Sequence, residues 1–185
     1  LPMTAAQILW VNLVTSVTLG LALAFEPPEP GVMQRPPRPP SAPLLSGFLV
    51  WRVVLVSFVF FAACQGIFVY AIERGDDLET ARTLVVNTLV VLEAFYLFNV
   101  RYLHMTSITF RGALGTPAVL YALGALVIAQ LVLTYAPFMH EWFQTRALAL
   151  LDGILILAIG VTVMMLLELE KALFRRLGVL ARAAI

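Results

Sequence analysis

The sequence predicts an all-α membrane protein, a bundle of five transmembrane helices with a proline-rich cytoplasmic loop between the first two. Three observations predict it. Of the 185 residues, 61% are hydrophobic and only 12% charged, and the mean hydropathy is +0.94, which lies outside the range of an ordinary soluble domain. The apolar residues are gathered into runs of about 20, each long enough to cross a hydrocarbon core of about 30 Å. Lysine and arginine are concentrated in alternate connections, as they are in cytoplasmic loops.

The first run, 6–25, has no basic segment ahead of it and no small-residue cleavage site after Phe25, so it reads as a retained helix and not as a signal peptide. Segment 26–47 follows with eight of the eleven prolines. Proline fixes φ and has no backbone donor, so this connection is expected to be a stiff, extended strap that limits the spacing of two helices. The remaining runs are 48–72, 81–99, 117–135 and 148–167. Arg35 and Arg38 in the strap, Arg101 and Arg111 after the third run, and Lys171, Arg175, Arg176 and Arg182 in the tail fall on one side. Only Arg74, Arg82 and Arg146 fall on the other, together with Glu73, Asp76, Asp77, Glu79 and Glu141. This asymmetry predicts an amino terminus outside and a carboxyl terminus in the cytoplasm. Trp10, Trp51, Tyr70, Tyr102, Tyr135 and Trp142 lie towards run ends, where amphipathic rings prefer the headgroup region.

Polar residues within the runs carry the functional information. Asn12, Thr15 and Ser16 are spaced i, i+3, i+4, so one helical face presents an amide and two hydroxyls at mid-membrane depth. Back-bonding of the hydroxyls and an interhelical amide bond would explain the same residues without a ligand. Glu93, inside TLVVLEAFYLFN, is an ionisable group at a depth where it costs several kcal/mol unless paired, protonated or facing a cavity; a functional site is its default reading. Gln65, Asn87 and Gln130 are expected to make interhelical hydrogen bonds. Asp152, near the outer end of the last run, is expected to be interfacial. The single cysteine, Cys64, leaves no internal disulfide framework.

Several function classes are excluded. The chain contains no GxxxxGK[ST] or GxGxxG, and His104 and His140, both read as loop residues, have no partner at metal-ligand spacing. No catalytic or cofactor-binding residue is assigned. The basic residues are few and explained by topology, so no nucleic acid is expected as a partner.

The order of features then resembles a known family. QILWVNLVT, followed by PPxxxxMxxPPRxP and P-L-x-S-G, resembles the sixth transmembrane helix, proline-rich loop and seventh helix of P-type cation-transporting ATPases, of the calcium-pump and sodium-pump branch. VVLEAFYLFN resembles the eighth helix and LALLDGILILAIGVTVMMLLELEK the tenth, so the resemblance covers essentially the whole chain. It implies cation-ligand roles for Asn12, Thr15 and Glu93, with Ser16 standing where those pumps carry an aspartate shared between cation sites. A hard divalent ion wants several anionic oxygens, so a single site, a monovalent ion or proton-coupled transport becomes admissible. Gly20 is a place where the first helix could open locally.

The resemblance also implies a phosphorylated DKTG aspartate, nucleotide and actuator domains and five earlier helices, none of which is in this sequence. The chain is therefore expected to be the carboxyl-terminal piece of a plasma-membrane pump, unable to hydrolyse ATP alone. Its expected partners are the lipid bilayer, the transported cation (calcium or another) and the missing helices and cytoplasmic domains; Mg and ATP are expected for the full-length pump. A stand-alone membrane scaffold or regulatory subunit, and a small secondary transporter, remain alternatives, although no internal repeat favours the latter.

Overall fold

The computed structural model of the protein describes residues 1–25, 47–101 and 117–176. The proline strap up to residue 46, with Arg35 and Arg38, lies outside the described residues, as do Tyr102, His104, Arg111 and Arg182. Six helices are described: α1 (Ala5–Ala24), α2 (Gly47–Arg74), α3 (Leu78–Arg101), α4 (Pro117–Tyr135), α5 (Pro137–Phe143) and α6 (Leu150–Arg176). All but α5 are long and apolar enough to cross a membrane.

Local chemistry sets the helix ends. Thr4 caps α1 by accepting from Gln7 N at 3.2 Å, while Gln7 Oε1 accepts from Thr4 N at 2.9 Å, a reciprocal capping box. At the end of α2 the Asp76 N–H bonds to Ala71 O and the Gly75 N–H to Ile72 O, both at 3.1 Å, closing the helix through Gly75 at φ 91°. That left-handed turn suits glycine and reverses the chain within a few residues. Asp77 then opens α3, accepting from Thr80 N at 2.7 Å. Pro137 starts α5 where its missing N–H costs nothing, and the helix stops at Gln144, which takes φ 52°.

α3 is the centre of the bundle. It packs against α2 and α6 on one side and against α1 on the other, and α1 packs against α4. Val56 of α2, Leu92 of α3 and Val163 and Leu167 of α6 form one buried cluster; Val11 of α1, Val86 and Val90 of α3, and Leu126 and Leu133 of α4 form another. Gly160 lets α6 approach α3 closely, since a Cβ there would lie 2.7 Å from both Val91 Cγ1 and the Phe95 ring. The outward faces are aliphatic and aromatic: Leu13, Phe61 and Ile128 are 64%, 66% and 65% exposed. So much contiguous apolar surface is compatible with lipid and not with water.

Two features differ from the sequence expectation. The last helix continues to Arg176, well beyond the apolar run, because ELEKALFRR is still a good helix-forming segment and is held by side-chain pairs described below. His140 and Glu141 sit in helix α5 and not in a loop; His140 Nε2 lies 2.9 Å from Thr134 O.

Candidate cation site

α1 and α3 carry the polar residues that face one another in the apolar interior. Val11 packs into the cluster with Val86 and Val90, and this apolar contact fixes which face of α1 meets α3. Thr15, one turn beyond Val11, is therefore buried, and its hydroxyl donates to Val11 O at 2.8 Å. The same hydroxyl is a side-chain hydrogen-bond partner of Glu93, so its one proton is shared between a backbone carbonyl and a carboxylate. Glu93 lies beside it on α3, half-buried, with Oε2 shielded from water and without a hydrogen-bond partner. Thr15, Ser16 and Glu93 line one open groove of about 280 Å³, whose remaining walls are Leu19, Leu23, Tyr96, Leu97 and Val100. Tyr96 is held edge-on to Phe60 of α2, with ring centroids 5.9 Å apart.

Of the four residues singled out from sequence, three meet at this groove. Asn12 does not line it: it is exposed, on the α1 face that also carries exposed Ser16. The groove thus offers the hydroxyls of Thr15 and Ser16, the phenol of Tyr96 and one carboxylate, all with oxygens able to coordinate a positive charge. Among the described residues no three His, Cys, Asp or Glu side chains converge on a common point. A hard cation takes six or so oxygens, so this donor set is part of a coordination shell, open on the side where Asn12 and Ser16 are exposed.

Other polar residues have structural partners. Asn87 Nδ2 donates to Thr134 Oγ1 at 3.0 Å, tying α3 to α4. Asp152 is buried and receives Arg74 Nη1 at 2.7 Å, an interfacial ion pair between α6 and α2. The expected interhelical bonds of Gln65 and Gln130 are not formed: among the described residues neither has a partner on another helix, and both amide atoms of Gln130 are buried unpaired. Gln130 shares its pocket with Asn87, whose amide is taken by Thr83 O and Thr134 Oγ1, and the groove beside Gln65 is lined by α2 alone.

Sequence reasoning missed a second polar cluster, at the opposite end of α3 from its Asp77 cap. Asn99 accepts from Arg52 of α2 through Oδ1 and donates to Glu168 of α6 at 2.7 Å through Nδ2. Lys171 Nζ donates to Asn99 O at 3.0 Å and pairs with Glu168 at 2.8 Å, while Arg52 Nη1 pairs with Glu170 at 2.7 Å. The available signal was Arg52 inside FLVWRVVLV, a charge within an apolar run that needs a partner as much as Glu93 does.

Comparison with known proteins places the chain among relatives. A family model described as "Cation transporting ATPase, C-terminus" matches residues 1–173. The chain is 38% identical over 175 residues to the "Probable cation-transporting ATPase F" of Mycobacterium tuberculosis, covering 95% of this chain and 19% of that protein. It is 34% identical over 150 residues to the "Cation-transporting ATPase pma1" of a Synechocystis species, covering 78% and 17%. Against the "Calcium-transporting ATPase" of Bacillus subtilis it is 32% identical over 164 residues, covering 86% and 18%. The chain therefore spans about a fifth of the length of these relatives.

Proposed function

The chain belongs to the family of cation-transporting ATPase C-termini and is a multi-pass membrane domain, and from that premise we propose that it supplies part of the cation-coordinating site of an ATP-driven pump. In this reading it is one segment of a longer polypeptide, whose further helices pack on the face bearing Asn12 and Ser16 and complete the coordination shell. Nucleotide, Mg and the phosphorylated aspartate belong to domains outside this segment. The pump lies in the plasma membrane with the amino-terminal end of α1 facing outside.

One observation carries the proposal: the Glu93 carboxylate faces a groove beside the Thr15 hydroxyl, with Oε2 buried and unpartnered. Removing a carboxylate from water costs several kcal/mol unless a proton or a counter-charge goes with it. The single Thr15 proton cannot serve both Val11 O and the carboxylate in full, and the unpartnered Glu93 oxygen calls for a cation or a proton. Entry of a cation with release of a proton, and the reverse on exit, follows from that preference. Ser16 in place of a carboxylate keeps the site weakly anionic and favours one bound ion over two.

The test is Glu93→Gln in the full-length pump, which keeps size and hydrogen bonding but removes the charge. Expression and membrane insertion are expected to be retained, with calcium-stimulated phosphorylation lost; Glu93→Asp should weaken it less. Wild-type calcium activation in purified Glu93→Gln protein would remove Glu93 from the transport site, because a glutamate that only hydrogen-bonds is well mimicked by glutamine.

A further inference from the structure

We infer that Asn99 is a positioning residue for the Glu93 site, fixing the height and rotation of α3 through one amide shared between a cation of α2 and an acid of α6. The inference rests on the cation-ligand role proposed for Glu93.

Asn99 is fully buried, 0% exposed, and it sits six residues beyond Glu93 on the same helix, a rise of about 9 Å. Each half of its amide has a different task. The oxygen accepts from Arg52, which is 2% exposed and paired on its other nitrogen with Glu170. The nitrogen donates to Glu168, which is paired in turn with Lys171. The Asn99 backbone carbonyl lies in the last turn of α3, where carbonyls lack an intrahelical partner, and it receives the Lys171 ammonium. Three charged side chains from two helices therefore contact one neutral residue of a third, with Glu170 paired behind Arg52.

Only an amide does both jobs. An aspartate would accept from Arg52 but has no donor for Glu168, and it would place a third carboxylate beside Glu168 and Glu170. A leucine fills the space and leaves Arg52 and Glu168 each short of a hydrogen bond in a buried setting. With the last turn of α3 held at both its side chain and its carbonyl, neither rotation nor sliding of the helix is free. Glu93 lies less than two turns away, so a small rotation there moves its carboxylate away from Thr15. The contacts of α3 with α1 are apolar and non-directional apart from the hydrogen bond between Thr15 and Glu93 themselves, and they do not set this register by themselves.

The experiment uses full-length pump with calcium as the probe. It measures the calcium concentration for half-maximal phosphorylation, the binding of ATP, and thermal unfolding, in Asn99→Leu, in the isosteric Asn99→Asp, and in each combined with Glu93→Asp. Asn99→Leu is expected to raise half-saturating calcium about tenfold with ATP binding unchanged, and Asn99→Asp to shift it in the same direction. On the Glu93→Asp background the same substitutions are expected to add less than twofold, since they act through a carboxylate already displaced. Lower thermal stability with wild-type calcium half-saturation would overturn the inference in favour of a purely structural network, and so would full additivity with Glu93→Asp. Should the leucine variant not fold, the aspartate variant decides alone. Wild-type calcium activation in Glu93→Asp and Glu93→Gln alike marks the different case in which the cation reading itself fails and takes the positioning role with it.

Discussion

Asp77 shows how much a single exposed carboxylate can do at a helix start. It accepts from the Thr80 side chain and backbone amide, and those bonds hold its carboxyl below the usual carboxylate range. Arg146 lies 3.7 Å away but is itself more than half exposed, so it adds little. A group whose folded pKa is depressed stabilises the fold above its unfolded value near 4 and loses that contribution as pH falls through the folded value. Asp77→Ala is expected to cost about 1 kcal/mol, the usual worth of an N-cap, and Asp77→Asn much less, because the amide oxygen still accepts. Thermal unfolding in detergent between neutral pH and pH 3 checks both. The wild type should converge on Asp77→Asn as the carboxylate is protonated to a neutral acceptor, while the gap between Asp77→Asn and Asp77→Ala stays flat; a pH-independent gap between wild type and asparagine would contradict a charged cap. Glu93 was legible at the same scale because a charge in an apolar run has no other local explanation. Asn99 was not, since its partners Arg52 and Glu168 come from distant segments and an asparagine near a helix end is unremarkable alone.

At the scale of elements, the contact of α3 with α6 depends on one residue without a side chain. The position a Cβ at Gly160 would take is already filled by the Phe95 ring and Val91, at 2.7 Å. Gly160→Ala is therefore expected to destabilise the bundle by about 1–3 kcal/mol, the usual cost of overpacking a tight interface. Combining it with Phe95→Leu should recover part of that loss, whereas Phe95→Leu alone leaves a void and should cost stability. Melting temperatures of the three variants close the cycle; an alanine variant as stable as wild type would show that the helices part without penalty. The five long helices were visible in the sequence because each is a long, predominantly apolar run. Their pairing was not, because the runs are apolar on nearly every face and so carry little periodicity to say which side is buried. Gly160 looks like any glycine in such a run, and α5 is too short for its pattern to stand out from the loop around it.

For the whole molecule, the placement of charge distinguishes the two ends of the bundle. At the end where α1 begins, Arg74 pairs with Asp76 and Asp152, Arg146 with Glu79, and Arg82 donates to Leu1 O and to Gln144. At the other end, Arg52 and Lys171 are matched by Glu170 and Glu168, while the surplus of arginine and lysine belongs to the strap, the connection after the third run and the tail. Between the ends, Glu93 is the one Asp, Glu, Lys or Arg described deep in the apolar zone. Positively charged residues are retained on the cytoplasmic side, and matched acids at the far end do not change that count, because the bias follows lysine and arginine and not net charge. The amino-terminal end of the bundle is therefore expected outside. Glu141 lies exposed on α5 at that end, and the sequence holds a single cysteine, Cys64, that can be removed. In a Cys64→Ser background, Glu141→Cys should react with a membrane-impermeant maleimide added to intact cells, and permeabilisation should add no further label. Reaction only after permeabilisation would invert the bundle. The cation reading proposed for Glu93 would survive that result, since the groove beside Thr15 is the same from either side, but the strap and the charged end at Asn99 would then face away from the cytoplasm and could not contact the nucleotide-driven parts of the proposed pump.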